Sequence, residues 1–257
     1  PLSKRPEYQM TALGIADDNN LFAAFKFYKR AIEIGIKPII GATVSIHPGA
    51  SERISKLILL CKNTTGYKNL SNLITRSYLE GYHKGKVLVD IDWLDGKSTL
   101  GLIAISGGYN GFIQNLLLSE KSRTASKQVE RLQLIFPEDL FLQIHKLGGN
   151  RDEELLEKTV EIASLAEVPL LAGNNPRFLN QDDYLSLDAR VCIDRGDVID
   201  NTNRVREYTT EQYFKTKKEM ADLFSDIPEA VTNTVNLAKK CNFQFTTGQT
   251  ALPAYSV

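Results

Sequence analysis

The sequence is short of the residues from which many sites are built. It has 3 cysteines in 257 residues, Cys61, Cys192 and Cys241, far apart and not in CxxC spacing. That pattern excludes a disulfide framework and reads as reduced thiols in a cytosolic protein. Net charge is also missing: Lys+Arg is 31 and Asp+Glu is 31. A neutral balance argues against a surface whose main task is to neutralise phosphates, and leaves a local basic patch open. No apolar run approaches the ~20 residues that span a bilayer. The polar start Pro1–Tyr8 lacks the apolar core of a signal peptide. There is no P-loop, no GxSxG and no GxGxxG after a strand, so the common nucleotide and serine-hydrolase signatures are absent.

What is present is ordinary for a soluble protein: 42% hydrophobic and 24% charged residues. The length suits one large α/β barrel or two ordinary domains. The chain is organised around Gly14–Gly41, which reads as strand end, acidic loop, helix, turn and second strand. Asp17 and Asp18 fall where an apolar run stops and a helix begins, the place where α/β folds put chemistry. Asn19 or Asn20 can cap that helix. Leu21, Ala24, Phe25, Tyr28, Ala31 and Ile32 give it one apolar face, and Gly35 ends it.

Further strands are expected at Lys37–Ile46, Lys56–Cys61, Leu100–Ser106, Leu140–His145 and Val168–Ala172. Pro48-Gly49 reads as a turn, and Leu88–Asp95 as strand or helix. Helices are expected over Gly66–Glu80, Gly111–Leu118, Ser126–Ile135 and Asp152–Ala166. Three more follow near Asp182–Cys192, Thr210–Phe224 and Pro228–Lys239. Strand–helix alternation repeated this often predicts a parallel sheet with helical crossovers, and favours a (β/α) barrel over an open sheet. The helical tail after Thr209 looks different in kind. The polar beginning PLSKRPEYQ and the trailing GQTALPAYSV suggest a fragment with both ends cut.

Several blocks carry a family resemblance: DNNLFAAFKFYKRAIEIGIKPIIGA from Asp18, NTTGYKNLSNLI from Asn63, LIAISGG from Leu102, AGNNPRFL from Ala172, and EMADLFSDIPEAVTNTVNLAKKCN from Glu219. In order and spacing they resemble the amino-terminal PHP (polymerase and histidinol phosphatase) domain of bacterial replicative polymerase III alpha subunits. The resemblance implies an α/β fold, a PHP-type distorted (β/α)₇ barrel over 1–208, followed by a helical extension, 209–257, leading toward the polymerase palm. It implies that the first barrel strand, with a His-x-His motif, lies upstream of Pro1 and the catalytic carboxylates beyond Val257.

Metal-binding members of that family use His, Asp and Glu around the barrel mouth, a donor set suited to Zn²⁺ or Mn²⁺. Matched position by position, this sequence departs from them. Thr-Asp-His is here Ala16-Asp17-Asp18. Gly-x-Glu is Gly41-Ala42-Thr43. A His before a Gly is Leu147. Asn-Asp-x-His is Asn174-Asn175-Pro176-Arg177. Asp17, Asp18, Thr43, Leu147, Asn175 and Arg177 are therefore the positions of a degenerate metal site, with no metal and no catalytic residue expected in this fragment. A guanidinium cannot be a ligand. It repels another unit charge at ~4 Å by ~4 kcal/mol at an effective dielectric of ~20, and a divalent ion by twice that. Arg177 is expected to pair instead with Asp17 or Asp18.

His145 lies ~6.6 Å along its strand from the lost His and is read as satisfied locally. His47 and His83 sit beside turns and are expected to be exposed. Asp90, Asp92 and Asp95 lack the glycine and terminal Glu of a calcium loop and read as a solvated face. Lys121, Arg123 and Lys127, and Lys215, Lys217 and Lys218, read as solvated helix faces.

The function implied is a scaffold within a cytoplasmic replicative polymerase. Its expected partners are the polymerase core of the same chain, the proofreading 3′–5′ exonuclease subunit that it docks, and DNA through the holoenzyme, with no membrane. Mg²⁺ is expected for the parent polymerase. Zn²⁺ or Mn²⁺ belongs only to the alternative, a metal-dependent phosphoesterase or intrinsic exonuclease. An unrelated stand-alone barrel enzyme is the third reading, and the DIPEA helices speak against it.

Overall fold

The computed structural model describes residues 10–47, 54–149, 151–201 and 203–248; the Pro48-Gly49 turn and both chain ends lie outside them. A six-stranded sheet curls into a half-barrel, an α/β fold of the expected class. Its strands are β1 (Ala12–Asp18), β2 (Lys37–Ile46), β3 (Ser55–Cys61), β6 (Leu102–Ile105), β7 (Leu140–His145) and β8 (Leu170–Gly173), in that spatial order. A small hairpin of β4 (Tyr82–His83) and β5 (Lys86–Val87) stands apart. Its turn has Lys84 and Gly85 both at positive φ, the type I′ geometry that suits strand twist.

The sheet is mixed, which corrects the all-parallel expectation. β1/β2, β6/β7 and β7/β8 are parallel, but β3 runs antiparallel to both β2 and β6. Residues 47–54 are too few for a parallel crossover, which needs about a dozen or more residues. The chain must turn back, and its next helix follows β3 instead of preceding it.

Crossover helices α1 (Ala24–Glu33), α2 (Thr64–Glu80), α3 (Phe112–Leu118), α4 (Ser122–Ile135) and α5 (Asp152–Leu165) supply the main core. Side chains alternate across each strand. Ile40, Ala42, Val44, Leu57, Leu59, Leu102, Ala104, Leu140 and Leu142 face that core, while Ile39, Leu60, Ile103, Ile105, Phe141 and Leu171 form a second cluster on the other face. Gly35, at φ 73°, follows the end of α1 as anticipated.

The carboxyl-terminal elements are α6 (Tyr184–Arg195), α7 (Lys217–Leu223) and α8 (Pro228–Lys240). The tail is not a detached connector. Leu237 and Cys241 complete the second cluster. Asn233 donates to the Leu170 carbonyl at 2.9 Å, and Lys37 Nζ to the Ala238 carbonyl at 2.7 Å, so α8 reaches from β8 to β2. The helix expected from Thr210 begins only at Lys217. A capping box between Thr216 and Glu219 starts it there, while Tyr213 is bridged to Phe178 in extended form.

Cys61, Cys192 and Cys241 are buried and free. Burial pushes the Cys61 thiol up to about 12 and the Cys241 thiol up to about 11, so both stay protonated and unreactive at neutral pH. Among the described residues, no helix is long and apolar enough to cross a membrane.

Candidate functional site

The carboxyl ends of β1, β2 and β8 meet around a cavity of ≈ 400 Å³. Asp17 and Asp18 arrive on the last turn of β1, and the parallel register places Asp18 opposite Thr43 on β2. Asn175, Pro176 and Arg177 follow β8, and Gly107 follows β6; all of these line the same cavity, with Lys56 from β3. Five of the six positions matched to the degenerate motif are thus brought together. The sixth, Leu147, is a buried side chain that does not line it.

The expected pairing of Arg177 with Asp17 or Asp18 is not made. Asp18 pairs instead with Lys56, Nζ to Oδ1 at 2.7 Å. β3 runs back alongside β2 and delivers that lysine beside β1, a consequence of the antiparallel strand that the sequence pattern did not reveal. The Arg177 guanidinium lies 5.4 Å from the centre of the Tyr208 ring, within cation–π range. Burial also holds the Tyr208 phenol above its ordinary value. Thr43 is occupied too: its hydroxyl donates to the Ala16 carbonyl at 3.0 Å and ties β2 to β1.

The β8 side is stapled to residues 209–215. Asn174 donates to the carbonyls of Glu211 at 3.1 Å and Tyr213 at 2.6 Å. The Arg177 backbone N–H donates to the Gln212 carbonyl at 2.7 Å, and the Gln212 amide to the Asn175 carbonyl at 3.3 Å. Thr209 donates to the Leu147 carbonyl at 2.6 Å, while the Leu147 N–H donates to the Asp152 carboxylate at 2.6 Å. Lys215, read from sequence as a solvated helix residue, is buried. It donates to the Glu211 carbonyl and carboxylate, each at 2.9 Å, and sits 3.7 Å from the Tyr213 ring centre. Sequence reasoning missed this strap because nothing in its composition separates it from a helix start. The capping box at Thr216 was the available signal.

His145 is not satisfied locally: neither ring nitrogen has a hydrogen-bond partner among the described residues. His47 and His83 are exposed as expected, their rings 5.8 Å apart. Asp95 accepts backbone N–H bonds from Lys97 and Ser98, which lower its pKa, and Asp92 pairs with Arg131; both are surface roles.

For chemistry, the cavity offers two carboxylates, a committed hydroxyl and two amides, Asn110 and Asn175, with two cations among them. Among the described residues, no three His, Cys, Asp or Glu side chains are grouped so as to share a metal ion. Among the described residues that donor set supplies two carboxylates, whereas Zn²⁺ takes three or four Cys, His or carboxylate ligands from a protein.

A half-barrel whose strand ends converge on a polar mouth defines the class of protein, and residues 3–146 match the PHP domain family. The chain belongs to that family. It is similar to DNA polymerase III subunit alpha of Pseudomonas aeruginosa, 38% identical over 96% of this chain and 21% of that protein. The same subunit of Xylella fastidiosa strain Temecula1 is 38% identical over 100% of this chain and 21% of its own length. That of Escherichia coli K12 is 36% identical over 96% and 21%. The chain therefore spans about a fifth of the curated relatives it matches. A solved Bifidobacterium adolescentis chain, provisionally described as a metal-dependent phosphoesterase, covers 65% of this chain and 77% of its own at 11% identity and TM-score 0.34, too distant to carry an argument.

Proposed function

We propose that this chain is the amino-terminal PHP part of a replicative DNA polymerase III alpha subunit, and that it works there as scaffold and docking platform and not as a hydrolase. In this reading residues 1–208 form the barrel and 209–257 lead toward the polymerase core. The parent extends primers with Mg²⁺ at carboxylates outside this chain, in the cytoplasm, and meets DNA through its holoenzyme. The PHP part braces that core and docks the proofreading 3′–5′ exonuclease subunit. One observation supports the non-catalytic assignment: two cations, Lys56 and Arg177, line the same cavity as Asp17 and Asp18, and Lys56 is already paired with Asp18. A cluster that relied on a metal would keep its carboxylates free of such counter-cations.

The test is metal content of the full-length alpha subunit after exhaustive dialysis. The reading expects no stoichiometric Zn²⁺ or Mn²⁺, and no change on Asp17→Ala. Stoichiometric metal that Asp17→Ala removes would sink it. Docking is tested separately: deleting this part from the full-length subunit should abolish binding of the exonuclease subunit, and undiminished binding refutes the docking role alone.

The second reading, a metal-dependent phosphoesterase or intrinsic exonuclease, is favoured only by the adjacent Asp17 and Asp18 in a cavity of ≈ 400 Å³. Under that reading, nuclease activity of the full-length protein would need added Mn²⁺ or Zn²⁺ and fall with Asp17→Asn.

A further inference from the structure

Behind the mouth, a second and much smaller void of ≈ 10 Å³ lies between β7, α3 and α5. It is lined by Gln114, Gln143, His145, Asp152 and Thr159, with Gly108 and three apolar side chains. Gln114 and Thr159 are each only 1% exposed. Three of the lining residues carry buried polar atoms with no hydrogen-bond partner among the described residues: Gln114 Oε1, Thr159 Oγ1, and both ring nitrogens of His145. Orphaned buried groups are rare, and their convergence on one void calls for a ligand.

The amide orientation of Gln114 is fixed by its own bonds. Its Nε2 donates to Ser106 Oγ at 2.8 Å and to the Gln143 carbonyl at 3.1 Å, so Oε1 is the atom left over. The imidazole lies close against two glycines. A Cβ on Gly108 would come within 1.9 Å of His145 Cε1, and one on Gly173 within 2.7 Å of Nε2. The absence of a side chain at both positions makes room for the ring where it lies.

We infer that this void is a binding site for one structural water molecule, shared by Gln114, Thr159 and His145. The volume matches about one water-sized sphere, and buried waters typically make about three hydrogen bonds to otherwise unsatisfied groups. One water serves three of the four orphaned atoms, leaving the second imidazole nitrogen against the glycine backbone. Water donates to Gln114 Oε1, which can only accept. The Thr159 hydroxyl and the neutral imidazole can each give or take a hydrogen, so either imidazole tautomer completes the set. A cation is disfavoured because the one lining carboxylate, Asp152, is already engaged with the Leu147 N–H. The water ties a crossover helix on each side to the end of β7, directly beneath the stapled side of the mouth.

The test is a crystal structure of this chain or its full-length parent at a resolution where ordered water is seen. The expected result is a single peak ~2.8 Å from Gln114 Oε1, Thr159 Oγ1 and one His145 nitrogen. A dry void, a void closed by rotated side chains, or a peak with the ~2.3–2.6 Å contacts of a cation would each overturn it. A solution test uses Thr159→Val and His145→Phe, singly and together, read by thermal unfolding. Two groups that share one water couple, so the double variant should lose clearly less Tm than the two losses added. Strict additivity refutes the shared site.

Discussion

The two sides of the barrel mouth have been solved differently. On the β8 side, Asn174, Lys215 and Gln212 are buried, and they are bonded to backbone carbonyls or to Glu211. On the β1 side, Asp17 is half-buried and Asp18 exposed, and the Asp18–Lys56 ion pair has side chains 60% and 32% exposed. A buried polar group left without a partner loses its full solvation, whereas an exposed pair is screened by water. Stability at the mouth is therefore concentrated on the strap, and the exposed Asp18–Lys56 pair contributes little.

The contrast can be broken by mutation. Asn174→Leu should have the largest effect, because it removes two hydrogen bonds from a buried amide and leaves the Tyr213 carbonyl without that partner; about 2–4 kcal/mol of unfolding free energy should be lost in urea melts. His145 comes next. Burial lowers its pKa from 6.5 to about 4. The unfolded chain then binds a proton that the folded chain refuses, so stability is full above pH ~6.5 and declines as pH falls toward about 4. The loss is on the order of 3 kcal/mol, and His145→Gln should flatten that slope; an unchanged slope would show that another group carries it. Lys215→Met should cost about 1–2 kcal/mol through its lost hydrogen bonds and ring contact. Lys56→Ala should change stability by no more than about 0.5 kcal/mol. A loss on the β1 side as large as that for Asn174→Leu would erase the contrast.

Much of the fold was legible in sequence because its signals are local. The α1 helix, Gly35 after it, and the apolar runs that became β2, β6, β7 and β8 each depend on residues a few positions apart, although Phe25 and Ile32, expected on the inward face of α1, are exposed. The candidate site was legible as a set of positions: Asp17, Asp18, Thr43, Asn175 and Arg177 do converge. Their partners were not. Lys56 reaches Asp18 only because β3 turns back, and Arg177 meets Tyr208 only because the 200s loop returns under β8. His145 read as satisfied, yet its surroundings come from Gly108, Gly173 and Thr159, all remote in the chain.

The amino-acid order by itself determined most of the segments that become helix or strand, and that Arg177 and Asn175 stand among the residues at the mouth. Those are matters of side-chain chemistry and short-range periodicity. Tertiary structure alone decided what each polar group pairs with. Pairing depends on strand direction and on which distant backbone carbonyl is buried beside which donor, and neither is encoded within any single stretch of the chain.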